Sequence, residues 1–441
     1  MYPVYWLVTF LSAPILRLIL KKRLSKGKES QSRYLEKASI IKKARPPGTL
    51  IWVHGASVGE AQSALILINK ITQSYPNINV LMTTGTLTSA TLMEKKLPPN
   101  AFHQFYPLDH PQWVQKFIQH WQPDAVLWME SELWPNMLSA IKDAQIPAAL
   151  INARMSEKSF QTWKKIPSLA NKTISTFNRI LCQTPTDQGY YNALGATDTL
   201  VTDNLKYSAA PLSCDQDDLE TLQKSITDRP VWLYASTHDG EEQIACELHR
   251  KLSKEIPALL TIIVPRHPER RNEIRSTCSA GDLNFKFRGE NKAPPSNTDQ
   301  IYIADTLGEL GLFYTLSPVA CIGRSLSNDG GGGHNPIEAA QQNTAVIHGK
   351  NVQNLQDIYD EMNNENAAIC VDTPQDLYDT IRELLLNKDK LKEAQEKALI
   401  FSRKKVGVID VVMSELFPIL DKLQNNGKIS VNIDKTSNDA A

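Results

Sequence analysis

Two acidic motifs in this chain have the residue types and spacing for proton transfer or for stabilising positive charge. In HGASVGEA, Gly55 and Gly59 permit a tight turn from a strand into a helix, and Glu60 then falls in the first helical turn. The helix dipole favours an ionised carboxylate there and is expected to lower its pKa. Such a carboxylate can take the proton of a substrate hydroxyl, or it can do no more than complement its own helix. In ESELWPN, Glu130 and Glu132 follow an apolar run. The pair can hold a sugar hydroxyl, a metal or an oxocarbenium-like charge, or it can simply precede a helix with Pro135 near its start.

Cationic and glycine-rich motifs supply the opposite sign. NARMSEKS offers Asn152 and Arg154, and DNLKY offers Asn204 and Lys206. These suit an anionic substrate, although solvated surface charges read the same way. STHDGEE and VPRHPER contain His238, Asp239, Glu241, His267 and Glu269, without the H-E-x-x-H spacing of a protein-bound metal. The plainer reading makes Ser236 and Thr237 helix caps and sets Pro265 and Arg266 at a strand end, with Arg266 as an anion clamp. In DGGGGHNPIEAA, Asn335 is expected to cap a helix that has Pro336 at its first position, followed by Ile337 and Glu338. The free N–H groups of such an end bind phosphate, and Glu338 can meet ribose hydroxyls. ADTLGELG gives a second helix start near Thr306–Gly308. Neither run is a P-loop or a G-x-G-x-x-G. Together they point to a nucleotide held without a metal, although two ordinary glycine-rich helix starts would look alike.

These motifs need a frame. From residue 49, short β-rich runs alternate with longer helical patterns, for example a helix over Gly59–Ser74 and another over Pro374–Asn387. The expected strands are Thr49–Val53, Asn79–Thr83, Phe102–Tyr106, Ala125–Met129, Ala148–Ile151 and Ile180–Cys182. A second series is Val231–Ala235, Leu260–Val264, Ile301–Ala304, Val319–Ile322, Ala345–Ile347 and Ala368–Val371. This alternation predicts a doubly wound α/β fold in two domains, each with a largely parallel sheet. Ligands of such sheets bind beyond the carboxyl ends of the strands, which is where the polar motifs fall. The expectation is a cleft between two facing domains. The chain divides into an N-terminal segment 1–24, a first domain 25–205, a linker 206–215, a second domain 216–424 and a polar, disordered tail 425–441.

The chain has 441 residues with 48 basic and 48 acidic side chains, and its formal net charge is zero. That balance excludes a dedicated nucleic-acid binder, but it is uneven. Residues 1–45 hold eleven basic residues against two acidic ones, a local charge of +9. The run MYPVYWLVTFLSAPIL precedes those charges, whereas a secretory signal would follow its own. It is short for a span, with Pro3, Pro14 and Arg17. A signal-anchor, an interfacial segment on the inner leaflet and a helix docked on its own domain all remain open. The six cysteines form no C-x-x-C pair and read as reduced thiols of a cytosolic protein.

HGASVGE, ESELWPN, NARMSEKS, LKY, STHDGEE, VPRHPER, DTLGELG and GGHNPIEAA occur in that order. In this the chain resembles the 3-deoxy-D-manno-octulosonic acid (Kdo) transferases of lipopolysaccharide synthesis over roughly residues 1–400. The resemblance implies a GT-B glycosyltransferase with two Rossmann-like domains, the acceptor on the first and CMP-Kdo on the second. It implies inverting transfer of Kdo to the lipid A precursor lipid IVA, at the cytoplasmic face of the inner membrane, with no cofactor and no catalytic metal. By motif position it makes Glu60 the general base and gives Glu130 and Lys206 transition-state roles. It assigns Pro265, Arg266, Leu307, Gly308, Glu309, Asn335, Pro336, Ile337 and Glu338 to the CMP moiety. The sequence departs from the family at SRYLEKAS, where E-R-x-G is common, at Gly323-Arg324-Ser325, where G-G-S is common, and at Lys206-Tyr207-Ser208, which lacks an acidic residue often found there. A GT-B nucleotide-sugar epimerase and a non-enzymatic two-domain binding protein are the rival readings.

Overall fold

Strands covered by helices on both faces need apolar side chains at consecutive positions, not at alternate ones. Leu50–His54, Ala125–Met129, Ala148–Ala153 and Val231–Thr237 are buried at every residue. In the computed structural model of the chain, which describes residues 1–208, 210–327 and 329–425, these runs form the middle of two parallel seven-stranded sheets.

The first sheet comprises β1 (Leu50–His54), β2 (Asn79–Thr84), β3 (Ala101–Phe105), β4 (Ala125–Met129), β5 (Ala148–Ala153), β6 (Arg179–Cys182) and β7 (Thr199–Val201), in the order β3-β2-β1-β4-β5-β6-β7. The second comprises β8 (Val231–Thr237), β9 (Leu260–Pro265), β10 (Phe285–Phe287), β11 (Ile301–Ile303), β12 (Val319–Ile322), β13 (Ala345–His348) and β14 (Ile369–Cys370), in the order β10-β11-β9-β8-β12-β13-β14. Twelve of these strands overlap the sequence expectation. The two it missed, β7 and β10, are three-residue edge strands without an apolar run long enough to stand out.

Strand order reverses between β1 and β4 in one sheet and between β8 and β12 in the other. His54 stands opposite Trp128, and Ala235 opposite Ile322, so at each reversal the two loops leave the sheet at the same level. Each reversal is the switch point at which open α/β sheets hold their ligands.

Two compact units result among the described residues: 1–208 with 407–425, and Ala210–Val406. This corrects the expected second domain, 216–424. The helix Val408–Asn425 contributes Val412, Met413, Leu416 and Leu420 to the core beneath the first sheet, with Ile68, Leu127 and Ile151. A sequence boundary follows chain order, whereas an apolar helix face goes where it is buried. The expected linker also begins inside the first unit. Leu205–Ser208 is a 3-10 turn with Tyr207 buried, and the Ser208 hydroxyl accepts the Ile409 N–H at 3.0 Å. The tail beyond residue 425 lies outside the described residues.

At the N-terminus, Pro3 and Pro14 do not break a helix. They start two, Tyr2–Leu11 and Ala13–Ser25, at first-turn positions where proline costs no hydrogen bond. The pair bends by 57°, and no single helix among the described residues is long and apolar enough to cross a membrane. One side is docked. Tyr5 Oη donates to Asp109 Oδ2 at 2.8 Å, Asn136 Nδ2 donates to Thr9 Oγ1 at 2.8 Å, and the Phe10 carbonyl meets His110 Nε2 at 3.0 Å. The rest is open, with Val4, Leu7, Val8, Leu11, Ile15 and Leu18 exposed.

The stretch that follows is fastened by a buried ion pair. Lys37 Nζ lies 2.6 Å from Glu29 Oε2 and also donates to the Gly85 carbonyl at 2.9 Å. Lys37→Ala would leave the fully buried Glu29 carboxylate with only the half-exposed Arg23. A loss of about 3–5 kcal/mol is expected, read as a lower denaturant midpoint at unchanged slope.

Candidate active site and nucleotide-side loops

Ser57 caps the helix Val58–Ser74, its hydroxyl accepting the Glu60 N–H at 3.2 Å. Glu60 reaches back along the same turn. Its Oε2 accepts the Ala56 N–H at 2.8 Å and its Oε1 the Ser57 hydroxyl at 3.0 Å. The helix-complementing geometry is therefore present, but the expected pKa direction is wrong. Burial, with the Glu130 and Glu132 charges adding to it, outweighs those two hydrogen bonds and pushes the Glu60 carboxyl up to about 7.

Glu130 and Lys206 arrive from other elements. Glu130 follows β4 across the switch point, and Lys206 Nζ is 3.0 Å from its Oε1. Gly59 lies alongside the lysine, where a Cβ would be in ordinary contact with Nζ at 3.4 Å. Asn152, at the end of β5, donates from Nδ2 to Glu130 Oε1 at 3.3 Å and accepts the Leu205 N–H on Oδ1 at 2.9 Å. It thus ties the Lys206 turn to the carboxylate that Lys206 pairs with. Sequence reasoning offered Asn152 only as a polar neighbour of Arg154. The signal for more was an amide at the end of an unbroken apolar strand. Arg154 is exposed, and its backbone carbonyl and that of Glu130 each lie 3.3 Å from the Tyr191 hydroxyl. Glu132 accepts the Trp134 indole N–H at 2.9 Å.

The backbone is strained here. Glu130 has φ 55° and Asn152 φ 56°, and at the second switch point Ser236 has φ 58° and Arg324 φ 63°. Each costs about 1–3 kcal/mol for a residue other than glycine, least for Asn152.

In the second unit the expected nucleotide-side residues follow β9, β11 and β12, of which β9 and β11 are neighbours while β8 separates β9 from β12. Pro265 closes β9, and the Arg266 N–H donates to the Thr237 carbonyl at 3.0 Å while its side chain is exposed. Asn335 Oδ1 accepts the Ile337 N–H at 3.1 Å, and its Nδ2 donates to Glu338 Oε1 at 3.4 Å. Burial raises the Glu338 pKa, and the nearby Arg266 charge opposes that. Pro336 precedes the helix, whose four residues run Ile337–Ala340. In the other loop, Leu307 is 79% exposed and Gly308 turns at φ 85°.

The Glu309 carboxylate is engaged within its own unit. It is taken by Arg288 at 2.7 Å, by Lys292 at 3.1 Å and by the Thr306 hydroxyl. The Arg288 hydrogen bond is the main reason its pKa falls to about 2. Glu309 therefore fixes the loop that carries Leu307 and Gly308. Ser236 and Thr237 differ from expectation. Gly240 starts the helix Glu241–Leu252, while Thr237 Oγ1 donates to Glu242 at 2.8 Å. Glu241, fully buried, accepts the backbone N–H groups of His238 at 2.9 Å and Arg324 at 2.8 Å, stapling two loops together.

Comparison with known proteins places this geometry in a class and then in a family. The fold matches UDP-GlcNAc 2-epimerase from Neisseria meningitidis over 85% of this chain and 100% of that one, with a TM-score of 0.54 at 14% identity. That likeness speaks for the fold alone, a two-sheet α/β architecture of the GT-B kind. The sequence is more specific. The profile of the 3-Deoxy-D-manno-octulosonic-acid transferase (kdotransferase) family matches residues 26–209. The 3-deoxy-D-manno-octulosonic acid transferase of Rickettsia bellii (strain RML369-C) is 34% identical over 95% of this chain and 100% of its own length. That of Haemophilus influenzae is 33% identical over 86% and 88%. The chain belongs to the Kdo transferase family, which makes it a glycosyltransferase. The epimerase therefore shares its fold but is not its family.

Proposed function

We propose that this protein transfers Kdo from CMP-Kdo to a hydroxyl of the lipid A precursor lipid IVA in lipopolysaccharide synthesis, in one inverting displacement. The observation that carries this reading is Glu60, a carboxylate beside a Lys206–Glu130 pair, with its pKa raised to about 7. A base poised there is half free at neutral pH and holds a proton well enough to take one from a sugar hydroxyl. Glu60 would deprotonate the acceptor, whose oxygen then attacks the anomeric carbon of Kdo. The C–O bond to phosphate breaks and CMP leaves. Lys206 and Glu130 would balance the charge that develops. In the second unit, Arg266 would meet the leaving phosphate, with loops 307–309 and 335–338 around the nucleotide, and no catalytic metal is invoked. Acceptor-dependent CMP release from CMP-Kdo and lipid IVA, at a rate unchanged by EDTA, is the expected result. CMP release that ignores the acceptor sinks the transfer reading, and loss of rate in EDTA restores a metal.

The pH dependence follows from the same group. Glu60 must be ionised to act, so kcat/KM should rise with pH and level off above an apparent pKa of about 7. A limb near the ordinary carboxyl value would remove Glu60 from the role of base.

For location, we propose that the helices Tyr2–Leu11 and Ala13–Ser25 lie in the cytoplasmic leaflet of the inner membrane. Their docked side and their exposed apolar side support a segment that lies in the interface. The basic residues that follow suit anionic headgroups. Replacing Leu7, Leu11 and Leu18 together by Ser should weaken partitioning onto phosphatidylglycerol vesicles by roughly tenfold or more. Unchanged partitioning would leave these helices as a docked element only.

A further inference from the structure

At the second switch point, two histidines meet through their ring nitrogens. His238 follows β8, and its Nε2 lies 3.0 Å from Nε2 of His334, with the rings stacked at 5.3 Å. Two such nitrogens in contact hold one proton between them, because two N–H groups or two lone pairs would repel. The other nitrogen of His238, Nδ1, lies 3.4 Å from Asp329 Oδ2. A chain of carboxylate, imidazole and imidazole results, which is satisfied with both rings neutral when His334 donates to His238 and His238 donates to Asp329.

The surroundings are cationic. Arg324 Nε is 3.0 Å from Asp329 Oδ2, so the one carboxylate is shared. The arginine lies flat against Gly331, where a Cβ would fall 1.8 Å from its Cζ. Arg266 is close enough for its charge to act on both histidines. His267 places its ring 5.7 Å from that of His238 and is itself paired with Glu269 at 3.2 Å. Glu241 is occupied by backbone N–H groups, and Glu338 shares the field of Arg266. Burial comes first, then the neighbouring cations, in holding the His334 pKa down at about 4 and lowering that of His238. Arg324 is held at a left-handed φ that a glycine would adopt without strain. The fold thus accepts strain to add a cation where cations already crowd.

An anion is what such a place lacks. We propose that the His238–His334 pair, flanked by Arg324 and Arg266, is the subsite for an oxyanion of the sugar-nucleotide donor, and that donor binding draws one proton from solvent onto the pair. This rests on the donor reading above. The oxyanion is either the phosphate or the carboxylate of the acidic sugar. In either case the bound charge offsets the cations that, after burial, hold the rings neutral, and the proton stays until the anion departs.

Calorimetry in buffers of different ionisation enthalpy tests this at pH 7 on the full chain, with CMP and with a non-cleavable CMP-Kdo analogue as separate probes. The wild type is expected to take up about half a proton more per ligand than His334→Gln. The variant is expected to bind roughly tenfold more weakly. An uptake difference with both probes assigns the phosphate, and one with the analogue alone assigns the sugar carboxylate; both outcomes uphold the subsite. Arg324→Gly, which relieves strain and should keep or raise the melting temperature, is expected to weaken the same probe about tenfold. If the wild type binds both probes but shows no uptake beyond that of His334→Gln, the proposal is overturned. Wild-type affinity in both variants overturns it as well. A wild type that binds neither probe overturns the donor reading, and the subsite falls with it.

Discussion

Glu60→Gln is expected to lower kcat by about 10²–10⁴-fold while leaving CMP affinity within about twofold. The substitution keeps the shape of the turn. An amide oxygen can still accept the Ala56 N–H, and Ser57 still caps the helix. What is lost is the proton acceptor. Stability should not fall with activity. The folded-state pKa of about 7 lies above the ordinary value of 4.5, so folding favours the protonated carboxyl. The sign follows: Glu60 costs nothing at low pH, and its penalty grows as pH rises from 4.5 through 7, reaching about 3 kcal/mol above that. Glutamine removes that penalty, so the variant should be about as stable as the wild type near pH 4, already more stable at pH 6 and most so at pH 8. Acceptor-dependent CMP release and a melting curve at each pH read the two effects. Turnover near the wild-type rate would refute the base.

Lys206→Met should lower kcat by roughly 10²–10³-fold and, separately, move the pH–rate limb upward. The second effect has a definite sign. Lys206 neutralises Glu130 at 3.0 Å, and the Glu130 charge is one of those holding the proton on Glu60. Without the lysine that charge acts in full, and Glu60 ionises at a higher pH than about 7. Glu130→Gln should shift the limb the opposite way. The double substitution should lose little more rate than the worse single one, because the two side chains act as a unit. A lysine that only decorates the surface would leave the limb in place in Lys206→Met.

Much of this arrangement can be read along the chain. Glu60, Glu130 and Arg266 were legible as positions because each ends or closely follows an apolar run, and in the first sheet the strand order makes the ends that carry Glu60 and Glu130 neighbours. The two missed strands were not legible, since a three-residue edge strand has no periodicity of its own. Glu309 was legible as a position but not as a role, because its partner Arg288 comes from another part of the second unit. His334 was hidden in a glycine-rich run and acquires meaning only at 3.0 Å from His238.

Two parallel α/β sheets, polar motifs at their carboxyl ends and a place among the Kdo transferases can all be read from the order of residues along the chain. Those are properties of order and pattern, which local chain chemistry carries. Tertiary structure alone decided that Glu60 is raised to about 7 rather than lowered, that Lys206 pairs with Glu130, and that the last helix returns to the first unit. Those depend on desolvation, on Coulomb interaction and on where an apolar face is buried. All three act through space between residues far apart in sequence.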